Sequence, residues 1–103
     1  MKLYKFSVVI QPTIEDNETY YQVRVPALPE VITFGASPEE ALFMAQDALE
    51  LVVLSRLEDG ETIPSDKKPS RLGKNASLKE VLVSVVHNVH STPVTSDVKL
   101  TFA

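Results

Sequence analysis

An α+β domain is the fold class this sequence predicts: an antiparallel three-stranded sheet, one long helix packed on it, and then one or two further strands. Three observations predict it. Apolar residues alternate with period two at Tyr4–Ile10 and again at Tyr20–Val25; a proline-bearing helix start at Ser37 opens a stretch of helical periodicity; and the last quarter of the chain is rich in β-branched residues. At 103 residues the chain is long enough for one modest core and no more.

The first strand places Tyr4, Phe6, Val8 and Ile10 on one face and Lys5, Ser7 and Gln11 on the other, with Val9 breaking the polar side, and is expected to end at Pro12. The polar stretch from Thr13 to Thr19 reads as a loop joining it to a second strand, in which Tyr21, Val23 and Val25 share a face. Pro26 and Pro29 each remove an amide donor and push the preceding residue towards extended geometry, so residues 26–29 form a turn. Val31 to Phe34 is a short third strand, closed by Gly35.

Ser37-Pro38-Glu39-Glu40 is a capping box with proline at the first helical position. The Ser37 oxygen can accept the Glu40 amide while Glu40 reaches back to the serine amide, and Gly60 supplies a left-handed stop, so the helix runs to Glu58 or Asp59. At about 100° per residue, Ala41, Ala45, Ala48, Leu49 and Val52 fall on one face, with Leu42, Met44, Leu51 and Val53 on its shoulders. The opposite face carries Glu39, Glu40, Gln46, Asp47, Glu50 and Glu58, yet Phe43 and Leu54 lie among them with Leu57 close by. Apolar side chains in an acidic field suggest a second interface, so Phe43, Asp47, Glu50 and Leu54 are the candidate contacts for a partner or a second subunit.

Residues 61–76 carry Pro64, Pro69, Gly73 and a basic cluster and read as a connection. Ser77-Leu78-Lys79-Glu80 is formally another capping box, and Leu78, Val81, Leu82, Val85 and Val89 fit a helical stripe, but the β-branched run from Val81 favours a strand. Val94, Val98, Leu100 and Phe102 alternate with polar residues as a final strand. The organisation is one domain over 1–103: a core over 3–66, a basic linker over 67–76 and C-terminal strands over 79–102.

Charge is unevenly distributed. Residues 1–66 hold four basic against twelve acidic side chains, and residues 67–103 hold six against two. An acidic body favours a basic partner, whereas Lys67, Lys68, Arg71 and Lys74, followed by Lys79, suit contacts with phosphates or with the chain's own acidic surface; a solvated, charged linker is the plainer alternative. No apolar run approaches the roughly 20 residues that span a bilayer, and the charged, alternating start does not read as a signal peptide. With no cysteine there is no disulfide or thiolate site, in keeping with the cytoplasm.

No catalytic constellation emerges. His87 and His90 would face opposite sides of a strand and lack a third metal ligand if helical; no Gly-x-Ser-x-Gly elbow or phosphate-binding glycine loop occurs. Glu15, Asp16 and Glu18 crowd a loop, where acids are usually solvated, and no strand carries an acid on its core face, as a two-metal nuclease would require. No enzyme, cofactor or metal site is expected.

The ordered set Tyr20-Tyr21, Val25-Pro26-x-Leu28-Pro29, Gly35, Ser37-x-Glu39-Glu40-Ala41 and Asp59-Gly60-x-x-Ile63-Pro64 resembles the signature of the HicB-like antitoxins, and with the strand and acidic loop that precede it the match runs from Lys5 to Pro69, nearly two thirds of the chain. The resemblance implies a β-β-β-α-β domain, often called a partial ribonuclease H fold, without catalytic acids. It implies an antitoxin of a type II toxin–antitoxin system that binds and covers a small basic ribonuclease toxin of the HicA type and assembles as a homodimer or tetramer. Members often add a helix-turn-helix or ribbon-helix-helix domain, for which residues 77–103 are too few and too β-patterned. The alternative is a standalone module that binds RNA or other nucleic acid through residues 67–79.

Overall fold

A computed structural model describes residues 2–86; His87, His90 and the strand expected over 94–102 lie outside the described residues. The elements are β1 (Lys2–Glu15), β2 (Glu18–Arg24), β3 (Ile32–Gly35), α1 (Pro38–Glu58) and β4 (Ser77–Val85). They form one four-stranded sheet of order β3-β2-β1-β4 with every neighbouring pair antiparallel, and α1 covers one face.

The β1–β2 hairpin is tighter than expected. Glu15 pairs with Glu18, leaving only Asp16 and Asn17 to turn the chain, both at positive φ (53° and 67°). That is the left-handed pair whose twist matches a two-residue hairpin, and Asp and Asn tolerate it. The polar residues 13–15 and 18–19 are therefore strand, and β1 does not stop at Pro12. The proline is admissible because β4 begins at Ser77, opposite Ile10, so among the described residues β1 is unpaired on that side from Gln11 onward. The Ser7 amide faces away from β4, and alternation turns the Pro12 nitrogen towards the vacant side, where no ladder bond is lost.

After β2 the chain makes two successive turns, Leu28 N–H to Val25 O (3.1 Å) and Val31 N–H to Leu28 O (2.9 Å), each with a proline at its second position. Val25, Leu28 and Val31 all point into the core. β3 ends at Gly35 because the helix starts against it: a Cβ there would lie 2.6 Å from Ala41 Cα and closer still to the Ala41 nitrogen. Ser37 Oγ accepts the Glu40 amide at 3.1 Å, as the capping box predicts, but Glu40 reaches one residue further back and accepts the Ala36 amide at 2.6 Å. The helix ends in a Schellman motif, with Glu61 N–H to Arg56 O (2.8 Å), Gly60 N–H to Leu57 O (3.1 Å) and Gly60 at φ 76°.

The core is built from Phe6, Val8 and Ile10 of β1, Val23 of β2, Val81, Val83 and Val85 of β4, and the helix row Ala41, Ala45, Leu49 and Val53. Val53 is thus central rather than a shoulder, while Met44 and Leu51 are exposed. The buried stripe follows the i, i+4 ridge, which runs at an angle to the helix axis, through Leu57. Its centre is turned by roughly 40° from the face expected of the alanines, taking 100° per residue. On the other side of the sheet, Ser7 and Val9 are fully buried although no helix of the described residues lies there. Residues 66–74 cross that face: Asp66 accepts hydrogen bonds from Ser7 N–H and Oγ–H, both 2.7 Å, and Gln11 Nε2 donates to Lys74 O at 2.8 Å. The segment is anchored to the sheet at both ends, rather than standing off as a solvated connection.

Candidate partner-binding surfaces

Phe43, Asp47, Glu50 and Leu54 follow one another at i, i+4, i+7 and i+11, a single line on the helix side away from the sheet. Phe43 is 69% exposed, Asp47 is exposed, and Glu50 and Leu54 are half-buried. Phe43, Asp47 and Glu50, with Gln46, border a shallow depression of about 230 Å³; Leu54 lies one turn beyond it. Leu57 does not join this line but packs against the core. The patch gains Met44 and Leu51, the latter 63% exposed, which the alanine face had seemed to claim. Had the i, i+4 row from Ala41 to Val53 been taken as the buried centre, both would have been placed outside.

The electrostatics of this face are one-sided. Arg56 is the sole base of α1, and it is engaged at the C-terminal end: its guanidinium holds Glu30 through Nε (2.9 Å) and a terminal nitrogen (2.8 Å), with Glu61 at 3.8 Å. The Glu30 carboxyl is held below its ordinary range, chiefly by its own backbone amide and then by Arg56, against an opposing effect of burial. Glu39, Glu40, Asp47 and Glu50 are left without a base on the helix to offset them.

A second surface lies on the opposite side of the sheet. Lys67, Lys68 and Arg71 are brought together with Arg24 around a groove of about 630 Å³ whose lining also includes Ile32, Pro26, Pro29 and Pro69. Arg24, from the otherwise acidic first part of the chain, completes the cluster, a contribution invisible until the crossing of residues 66–74 is known. Lys74 is not part of the groove; it sits where its carbonyl meets Gln11, at the turn closed by Ala76 N–H to Gly73 O (3.1 Å) with Asn75 at φ 63°. Among the described residues no acid borders the groove. Asp66, adjacent in sequence, is occupied by Ser7. Burial alone would raise its carboxyl, but the Ser7 amide and hydroxyl, the Lys67 amide and the charge of Lys68 outweigh this and lower it.

Among the described residues, no group of three or more histidine or acidic side chains converges as a metal site, so Glu15, Asp16 and Glu18 around the hairpin turn do not make one. No helix among them is long and apolar enough to cross a membrane.

Residues 6–100 match the family described as the HicB-like antitoxin of bacterial toxin-antitoxin system. A UPF0150 protein of Thermoplasma acidophilum is 37% identical over 62 residues, 60% of this chain and 86% of its own. An antitoxin named HicB 1 from Photorhabdus laumondii is 35% identical over 101 residues, 98% of this chain but 60% of its own length, so the chain spans little more than half of that protein. Among solved structures, a chain described as a toxin-antitoxin complex from Streptococcus pneumoniae superposes with a TM-score of 0.65 over 89% of this chain and 82% of that one, at 16% identity, a likeness of fold.

Proposed function

Because the chain belongs to the HicB-like antitoxin family, we propose that it is the neutralising half of a toxin–antitoxin pair and that its toxin is a small basic ribonuclease of the HicA type. The observation that carries the choice of partner is the outer line of α1, where Phe43, Met44 and Leu51 supply apolar contact inside an acidic field with no free base. Such a surface is complementary to a basic protein: charge steers the encounter, and the buried aromatic contributes most of the affinity. The toxin-antitoxin complex from Streptococcus pneumoniae, which contains a chain of this fold, supports the same reading. Neutralisation is by coverage, without catalysis, and takes place in the cytoplasm. Self-association as a dimer or tetramer belongs to the same reading and has β3 and β4, the edges of the sheet among the described residues, to use.

Co-expression with a HicA-type ribonuclease encoded beside it tests the proposal. The wild-type chain is expected to relieve growth arrest and to co-purify with the toxin. Phe43→Ala and a D47K/E50K double variant are expected to lose at least about 2 kcal/mol of affinity, with unchanged melting temperatures. Rescue that persists undiminished in both variants would remove the helix line as the toxin site, and no rescue by the wild type would remove the proposal itself.

A further inference from the structure

The sheet face opposite the helix combines two features that the antitoxin reading does not use. The first is the groove of Arg24, Lys67, Lys68 and Arg71, four cations with no acid among its lining residues. Among the described residues the ion pairs are Lys5–Glu80, Arg56–Glu30 and Arg56–Glu61, so none of the four is neutralised by a salt bridge there. The acids nearest in sequence, Glu30 and Asp66, are held by Arg56 and Ser7.

The second feature is an aromatic platform leading out of that groove on the same face. Arg24 is the strand partner of Ile32, and Gln22 is the partner of Phe34, so all four side chains project from one side of the sheet. Ile32 lines the groove, and Phe34 follows it by about 7 Å along β3, the distance between alternate residues of a strand. Phe34 is 48% exposed and is held by Tyr20, edge to face, with ring centroids 5.4 Å apart. A ring half open to solvent, flanked edge to face by Tyr20 and one strand repeat beyond the groove that gathers the cations, suits single-stranded nucleic acid: cations follow the phosphates and an aromatic face stacks a base without reading it.

We propose that this face binds single-stranded nucleic acid over a footprint of a few nucleotides, with Arg24, Lys67, Lys68 and Arg71 on the phosphates and Phe34 under a base. The chain's net charge of −4 does not oppose binding at the groove: the five acids of α1 lie across the sheet, Glu30 and Asp66 are engaged by Arg56 and Ser7, Glu18 shares this face but lies six residues along β2 from Arg24, and at physiological salt fields decay over about 8 Å. The same partition leaves the helix line free for a basic protein while the sheet face holds nucleic acid.

The test uses the full chain and fluorescein-labelled oligouridine and oligothymidine in anisotropy titrations from low to physiological salt. Binding is expected with log K falling against log salt at a slope of about −2.8 for four phosphate contacts at roughly 0.7 each. A K68E/R71E double variant is expected to weaken binding by about tenfold or more and flatten the slope. Phe34→Ala is expected to weaken it by about five- to a hundredfold with the slope unchanged. D47K is expected to lower neither affinity nor slope. A preference between the uridine and the thymidine strand reports the 2′-hydroxyl and the thymine methyl together, and either preference supports the proposal. Three results would overturn it: no saturable binding at low salt, equal affinity for a duplex of the same length, or competition by a polyglutamate peptide together with indifference to Phe34→Ala. The last would mark the groove as a site for acidic peptides. Circular dichroism of each variant shows whether the sheet is retained.

Discussion

Replacing Gly35 by alanine adds one methyl group at the point where β3 meets the first turn of α1. The new carbon would sit 2.6 Å from Ala41 Cα and 2.9 Å from the Glu40 carbonyl carbon, where carbon atoms ordinarily approach to about 3.5–4.0 Å. Relief requires a shift of roughly 1 Å, and both sides are backbone. β3 is held there by pairing with Tyr21, and the helix start by the Ser37 cap and the Ala41 N–H to Ser37 O bond. Overpacking of this kind costs about 1–3 kcal/mol, and a contact against main chain on both sides belongs at the upper end, about 3 kcal/mol. For a domain of this size each kcal/mol lowers the melting temperature by about 4–8 °C, so a drop of about 12–24 °C is expected. Urea unfolding should show a lower midpoint with the same slope. Gly73→Ala is the control: its added carbon meets only the Gln11 side chain, with Oε1 2.6 Å away, so relief puts at risk the Gln11 bond to Lys74 O and requires no main-chain shift. A G35A protein melting within about 2 °C of wild type, or no less stable than G73A, would refute the close-approach argument.

Asp66→Asn should be destabilised at neutral pH and should also change the acid limb of stability. The folded carboxyl titrates below its ordinary value, 3.8, so its contribution is complete above that value and is lost as pH falls towards the folded one. Below pH about 4, wild type should therefore lose stability more steeply than the variant, and parallel curves would show that Asp66 carries no such linkage. Ser37→Ala removes the oxygen that accepts the Glu40 amide and should cost about 1 kcal/mol by urea titration, with Ser37→Asp close to wild type. Arg56→Gln releases Glu30, whose side chain is partly exposed, and should cost no more than about 1 kcal/mol, with the deficit shrinking as salt is added; a salt-independent loss would assign Arg56 a packing role instead.

The bounds of the helix were legible because its start and stop are written locally: Ser37, Pro38 and Glu40 at one end and Gly60 at the other act within one turn of themselves. The turn at residues 26–29 was legible for the same reason, each proline setting its own geometry, although its division into two successive turns closing at Leu28 and Val31 was not. The hairpin was misread because residues 13–19 are polar, and polarity suggested a loop; the deciding signal was the pair Asp16-Asn17, both tolerant of positive φ. The direction of the helix's buried stripe could not be taken from alanine content, since the sheet selects an inclined row of side chains. The line of Phe43, Asp47, Glu50 and Leu54 could be found because helical spacing alone places it. The basic groove could be found only in part, because Arg24 joins Lys67, Lys68 and Arg71 through a crossing that no local pattern encodes.

The contact of Asp66 with Ser7 has a consequence for the order in which the chain assembles. β1 and β2 meet across a two-residue turn, but β4 must find β1 from the far end of the described chain, Ile10 opposite Ser77 and Lys2 opposite Val85. Pairings so distant are slow because a long loop must close before any ladder bond forms. Asp66 meets Ser7 over a separation of 59 residues, and once it is seated only the short stretch to Ser77 remains to be closed. The carboxylate is thus placed to act as a staging point for the last strand. Stopped-flow refolding is expected to be slower in D66N, with unfolding less affected, whereas a change confined to the unfolding rate would place this contact after the rate-limiting step.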